Sequence, residues 1–329
     1  MSSLCPLCHQ HALKDSPVIS VDYISGHLFK LYQCIHCRSW TTDTANLGSP
    51  EQYYGPAYYN SAKGKFSRLF EKIFAWNHRR NAHKIYRTFH PEKVLEIGCG
   101  RAYLLKELKK KGIEVHCLES DEAAEWILLN KEIKISTLTE EKERQWPYED
   151  NDFDLVIFWH VLEHLDDPVA ALRETARILI PGQHLCVSVP NITSLQARMH
   201  ISTWFHLDVP RHRFHFSRSG LVELLEKQGF EIIKIESGDT IQNLYGWLQS
   251  LANLFTPKCL NSMYCLLQGI THIRLTSIMS LGVQILTVPF WLPVGVVGFF
   301  LEKLCNQEGV ITVYAKKSCT TNADKRPLP

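Results

Sequence analysis

An excess of charge of either sign is missing from this 329-residue chain: 36 Lys and Arg stand against 34 Asp and Glu, a formal net of +2. Such a balance gives no global electrostatic footprint for nucleic acid. Cysteine is sparse, 11 residues or about 3% of the chain, which excludes a miniprotein built on disulfides. The start, MSSLCPLCHQ, lacks a basic stretch followed by an apolar one. No secretory leader is therefore expected, and a reducing cytosol is the default home. Internal repeats and low-complexity tracts are also missing. What is present is apolar: 45% hydrophobic residues against 21% charged. That is enough for a real core and excludes wholesale disorder.

The cysteines are few but clustered. Cys5-Pro-Leu-Cys8 and Cys34-Ile-His-Cys37 are two CxxC pairs with 25 residues between them. Each can form a tight knuckle, and two knuckles supply the four thiolates of a closed tetrahedral zinc site. VISVDYIS and LFKLYQC between them read as a hairpin that brings the knuckles together. Two disulfides are the alternative, which a reducing compartment disfavours. His9 and His36 are read as solvated loop residues rather than ligands. A site with four thiolates has no open position, so its zinc would fold the ribbon rather than catalyse.

Residues 93–236 alternate apolar runs with helical stretches: KVLEI, Arg101–Lys111, EVHCLE, Asp121–Asn130, FDLVIFW, Asp166–Ile180, HLCVSVP, Arg218–Gln228 and FEIIKIE. Strands separated by helices indicate βαβ units and a parallel sheet. The first strand runs into Glu96-Ile-Gly98-Cys-Gly100-Arg-Ala102. Glycines there let the backbone approach a ligand, and the next helix offers free N–H groups. The dinucleotide fingerprint needs a glycine where Tyr103 stands, which counts against NAD.

This stretch resembles motif I of class I S-adenosylmethionine-dependent methyltransferases, with Ala102 in place of the third glycine. Glu119 ends the second strand, where the resemblance implies an acid on the two ribose hydroxyls. FDLVIFW, then Glu163-His-Leu-Asp-Asp-Pro, Pro181-Gly-Gln and Val189-Pro-Asn continue a series similar to ubiquinone-type and sugar methyltransferases. The resemblance implies a Rossmann-like α/β fold with a seven-stranded sheet, with FEIIKIE and GVITVYAKK paired in it. It implies S-adenosylmethionine as cofactor, held by Glu96, Gly98, Gly100 and Glu119, with the adenine near Ser136–Thr139. Asp154 reads as structural. Cys99, Cys117 and Cys186 read as buried small hydrophobes.

Methyl transfer to oxygen, nitrogen or an enolisable carbon benefits from a general base, and histidine suits that task at neutral pH. His160 directly follows the fourth strand, at the carboxyl edge where open α/β sheets bind ligands. His212 and His215 lie in Asp208-Val-Pro-Arg-His-Arg-Phe-His-Phe, a stretch resembling lipid- and glycan-directed relatives. Arg211 and Arg213 are candidates for a phosphate or carboxylate on the substrate.

The expected domains are a zinc ribbon with a tyrosine-rich linker (1–60), the cofactor-binding domain (61–239), an apolar helical insertion (240–305), the last strand (306–317) and a disordered tail (318–329). From Leu275 to Leu301 no residue is charged. As one straight helix this stretch would rise about 40 Å, more than the roughly 30 Å of hydrocarbon in a bilayer. The resemblance implies that both its neighbours pair in one sheet, so the insertion is expected to enter and return, with Pro289, Pro293, Gly295 and Gly298 as the expected break. Ile241, Leu244, Tyr245, Leu248, Leu251 and Phe255 recur at helical spacing, as in a helix lying in the membrane interface. The chain therefore reads as a methyltransferase at the cytosolic membrane face, peripheral or re-entrant, acting on a glycan, a lipid-linked sugar or another lipid-like acceptor. An RNA methyltransferase and a non-catalytic cofactor-binding membrane adaptor are the alternatives. If the insertion is soluble, the chain is cytoplasmic and the insertion packs on the domain or forms a dimer interface.

Overall fold

The computed structural model describes residues 4–10, 13–45, 47, 53, 68–120, 133–138, 145–268 and 275–319. In chain order the strands are β1 (Val18–Val21), β2 (Leu28–Gln33), β3 (Trp40–Thr42), β4 (Lys93–Ile97), β5 (Glu114–Ser120), β6 (Lys134–Leu138), β7 (Phe153–Trp159), β8 (Leu179–Pro190), β9 (Phe214–His215), β10 (Phe230–Ser237) and β11 (Val310–Lys317). The helices are α1 (Arg68–Phe89), α2 (Tyr103–Lys109), α3 (Pro168–Ile178), α4 (Leu195–His200), α5 (Arg218–Lys227), α6 (Thr240–Leu254), α7 (Ser262–Gln268), α8 (Leu275–Leu286) and α9 (Val288–Leu304). The expected helix 121–130, the residues at 54–66 and the tail from 320 lie outside the described residues. The chain divides into two compact units. One comprises Met1–Ile73, Val189–Gly220 and Ser237–Ile311, the other Phe74–Ser188, Leu221–Glu236 and Thr312–Pro329.

The second unit holds the expected α/β sheet, seven strands in the order β10-β11-β8-β7-β4-β5-β6. β4 runs parallel to both β5 and β7, β5 to β6 and β7 to β8. The central strands are apolar on both faces, as strands covered on both sides must be: Val94, Leu95, Leu155, Val156, Ile157, Leu185 and Val187 are all buried. Asp154 is structural, as expected. Its Oδ2 accepts the N–H groups of Glu92 at 2.9 Å and Lys93 at 2.8 Å, where β4 begins. Helix α3 starts on Asp167, whose side chain accepts the Ala170 N–H, with Pro168 at its first position.

In the first unit the expected hairpin is β1 and β2, paired antiparallel from Val18↔Leu31 to Val21↔Leu28. Asp22 shapes its turn by accepting the N–H groups of Ile24 and Ser25. The sheet continues through β3 to β9, with Trp40 opposite His215. The ribbon thus shares one unit with 189–220 and with the helices of 240–305 instead of standing alone.

Those helices differ from the sequence expectation in two respects. The break falls at Thr287, where α8 and α9 meet at 70°, and Pro293 continues inside α9. Gly295 and Gly298 serve packing rather than bending: a Cβ at Gly298 would stand 2.8 Å from the Trp247 ring and one at Gly295 2.7 Å from Leu248. Small residues here let α9 press against α6. Helix α6 is accordingly no free interfacial helix, since Asn243, Trp247, Ser250, Leu251 and Asn253 are buried. Gly298→Ala should cost about 1–3 kcal/mol through overpacking, read as a lower thermal midpoint. An unchanged midpoint would contradict the tight α6–α9 contact.

Candidate active site

Ligands of open parallel sheets bind where the strand order reverses, beyond the carboxyl ends of the strands. Here that point lies between β4 and β7. β4 delivers the glycine turn and β7 delivers His160, so the order of strands places both at the switch.

The turn is built from left-handed residues: Gly98 (φ 64°), Gly100 (φ 50°) and Ala102 (φ 53°). The Gly98 N–H donates to the Leu118 carbonyl at 2.8 Å and the Ala102 N–H to the Cys99 carbonyl at 2.7 Å, so the turn is held by its own backbone. The two glycines do different work. At Gly98 a Cβ would meet Val161 Cγ2 at 2.6 Å, so this glycine lets the turn pack on the chain that follows β7. Around a Cβ at Gly100 nothing lies within 4 Å among the described residues, so of the two glycines this one has the open face. The Gly100 N–H donates to Glu119 Oε2 at 3.0 Å. Glu96 is buried, and its Oε2 has no hydrogen-bond partner among the described residues. Burial pushes its carboxyl well above the usual range, and the charge of Glu119 adds to the effect. A buried acceptor left without a donor fits a cofactor bearing ammonium and hydroxyl groups. Thr139, the end of the expected adenine segment, lies outside the described residues.

His160 follows β7 in the left-handed region, with φ 55°. Its backbone N–H donates to the Ser188 carbonyl at 2.9 Å. Its Nδ1 lies 3.5 Å from Glu163 Oε1, and its buried Nε2 has no hydrogen-bond partner among the described residues. Backbone strain of this kind persists where the surroundings enforce it, commonly at functional sites.

His212 and His215 come together in the other unit, ring centroids 6.2 Å apart. His212 Nδ1 lies 2.8 Å from the His206 carbonyl. A carbonyl only accepts, so Nδ1 carries a proton, and Nε2 is the nitrogen that gains and loses one. Asp208 Oδ2 lies 4.0 Å from Nε2. Arg211 does not present itself to a substrate. It is wholly buried and pairs with Asp22 at 2.8 Å and with Asp208 at 2.6 Å.

The four cysteines converge as expected. Cys5 and Cys37 sulfurs lie 3.8 Å apart, Cys8 and Cys34 sulfurs 3.7 Å, and all four fall within 4.8 Å of one another. Tetrahedral bonds of about 2.3 Å from zinc to sulfur require sulfurs about 3.8 Å apart, so the donor set fits. Cys99 and Cys117 are not simple buried hydrophobes, for they are joined by a disulfide across the ends of β4 and β5. Cys186 is buried and free, as expected. The sequence offered no sign of two further contributors, Val161 under the glycine turn and Thr42, which bonds both His212 and His215.

The family described as a methyltransferase domain matches residues 63–235, slightly more than half of the chain. Ubiquinone biosynthesis O-methyltransferases of Yersinia pestis and Yersinia pseudotuberculosis are 28% identical over 104 residues, covering 30% of this chain and 43% of theirs. The chain thus spans less than half the length of these curated relatives. Among similar solved structures is the [4+2]-cyclase SpnF, 16% identical over 82% of this chain and 94% of that one, with a TM-score of 0.49. Another is phosphoethanolamine N-methyltransferase 2 of Haemonchus contortus in complex with S-adenosyl-L-methionine. It is 16% identical over 75% of this chain and 57% of that one, with a TM-score of 0.45.

The two glycines can be told apart by experiment. Gly98→Ala adds a left-handed alanine and a clash, an expected loss of about 2–4 kcal/mol in stability. Gly100→Ala adds only about 1–2 kcal/mol of backbone strain but sets a methyl group on the open face. Thermal unfolding should therefore single out Gly98→Ala, and calorimetry with S-adenosylmethionine should show lost affinity in a folded Gly100→Ala protein. Equal effects of the two on stability and affinity would refute the division.

Proposed function

Because the chain belongs to the methyltransferase-domain family, we propose that it transfers a methyl group from S-adenosylmethionine to a glycan, lipid-linked sugar or other lipid-like acceptor at the cytosolic face of a membrane. The observation that carries the reading is the open face of Gly100 beside Glu119 and the partnerless Oε2 of Glu96. S-adenosylmethionine supplies a methyl carbon on a cationic sulfur, already activated for in-line displacement. The chain has only to bind, orient, exclude water and take a proton. Glu119 is the acceptor for ribose hydroxyls and Glu96 for a further cofactor donor. His160 and His212 each have Nδ1 set against an oxygen, 3.5 Å and 2.8 Å away, which leaves Nε2 to accept the acceptor's proton. A strained histidine at the switch point favours catalysis over a non-catalytic adaptor. A net charge of +2 opposes an RNA substrate. The four thiolates are proposed to hold one structural zinc ion.

The membrane reading rests on polarity turned inside out. On the hairpin of α8 and α9, Leu286 is 78% exposed, Phe290 71% and Leu304 79%. On the same two helices Gln284 and Glu302 are fully buried. Gln284 donates to Thr256 and accepts the Met263 N–H, while Glu302 accepts from Gln196 and Trp247. Water would favour the reverse arrangement, and hydrocarbon favours this one. Among the described residues no single helix is long and apolar enough to cross a membrane, but the pair bent by 70° passes that test together by length and composition. The insertion leaves from β10 and returns at its neighbour β11, so both ends stay on one side.

Glu119→Ala should weaken S-adenosylmethionine binding by about 1–3 kcal/mol, the worth of hydrogen bonds to a charged acceptor; unchanged calorimetric affinity would sink the cofactor assignment. The protein should float with phospholipid vesicles in high salt, and Phe290→Asp with Leu286→Asp should release it. Monodisperse, vesicle-free protein without detergent would overturn the membrane reading and leave a dimer interface.

A further inference from the structure

The ribbon holds the histidine segment through more contacts than a folding module needs. The Cys37 carbonyl accepts from Ser217 Oγ at 2.5 Å, and Ser39 Oγ accepts the Ser217 N–H at 3.0 Å. Ser217 Oγ also takes the Gly220 N–H at 2.8 Å. A Cβ on Gly220 would stand 2.5 Å from Ser39 Oγ and 2.7 Å from the Cys37 carbonyl, so knuckle and segment touch without room for a side chain. Three residues beyond Ser39 comes Thr42, whose N–H donates to the Arg213 carbonyl at 2.9 Å. Its hydroxyl donates to the His212 carbonyl at 2.8 Å. A hydroxyl has one proton, and this bond uses it. The Thr42 oxygen must then accept from His215 Nε2, 2.9 Å away, which fixes the tautomer of that ring. One side chain of the ribbon thus sets the backbone of His212 and the ring of His215.

We propose that the four-cysteine knuckle is a positioning device for His212, with Thr42 as the positioning residue. The proposal rests on reading His212 as the proton acceptor. Cys34 and Cys37 fold the turn that leads into β3. β3 pairs with β9, Trp40 against His215 and Thr41 against Phe214. Ser217 closes the far end of the segment on Cys37. The segment 212–217 is therefore held at both ends from the ribbon, while His206 orients the His212 ring. Loss of the metal would free both holds at once.

The test uses the full chain. Thr42→Val keeps the side-chain shape and removes the hydroxyl. Amide exchange across 212–217 should accelerate about tenfold, as the loss of one or two hydrogen bonds implies. Proton–nitrogen correlation spectra should show altered His212 and His215 ring signals, and kcat should fall with the KM for S-adenosylmethionine unchanged. Thr42→Ser should restore all three, and zinc content should match the wild type throughout. Chelation of the metal should raise exchange over the same residues while S-adenosylmethionine still binds. Unchanged exchange and ring signals in both Thr42→Val and the chelated protein would overturn the coupling. If His212→Ala retains full turnover while Thr42→Val still moves the ring signals, the proton-acceptor reading falls and the positioning link stands.

Discussion

A guanidinium sealed away from water has to be neutralised where it lies, and that requirement gathers three distant segments of this chain. Arg211 donates to Asp22 in the hairpin turn, to Asp208 and to the Tyr53 carbonyl, and it lies 4.5 Å over the Tyr23 ring. Leaving such a charge unpaired costs about 3–5 kcal/mol, so the hairpin, the Asp208 turn and Tyr53 must be in place together. Asp208 serves twice, its Oδ1 on Arg211 and its Oδ2 facing His212. The electrostatics of the proposed proton acceptor therefore follow from a pairing whose first purpose is to fold the unit.

The insertion shows the same economy with opposite polarity. On the hairpin proposed to face a membrane, a carboxylate pointing outward would meet hydrocarbon, and Glu302 turns inward. It takes donors from the Gln196 backbone at 3.1 Å, the Gln196 side chain at 2.9 Å and the Trp247 indole at 2.7 Å. Asn253 does likewise, donating to the Thr203 carbonyl and to Asn261. Buried polar groups satisfied in this way fix how the helices meet, while their apolar faces stay outside.

Much of this was legible in the sequence wherever the signal is local. Alternation of apolar runs and helices reported the parallel sheet, GCG after KVLEI reported the turn, and two CxxC pairs reported the thiolate cluster. What stayed hidden depends on register or on distant pairing. Cys99 and Cys117 meet because β4 and β5 pair with Ile97 opposite Leu118, and a parallel register leaves no trace in either strand alone. β9 has two residues, too few to show any period, yet it joins the ribbon to the histidine segment. Arg211 looked like a ligand for anions because its partner Asp22 stands 189 positions away. Gly295 and Gly298 looked like helix breakers because the Leu248 and Trp247 side chains they accommodate belong to another helix.

The strand order β10-β11-β8 also imposes a timetable on synthesis. β11, the last of the described strands, lies between two strands made earlier, so β10 has no neighbour in the sheet until β11 arrives. By then the whole apolar hairpin has left the ribosome, and the edge of β8 has stood open meanwhile. Pairings of such long sequence separation close late and slowly, and open edges invite aggregation in the interval. If the proposed membrane docking holds, early capture of the nascent hairpin by lipid would shield its apolar face during that wait, and the moment of contact would bear on yield as much as on location.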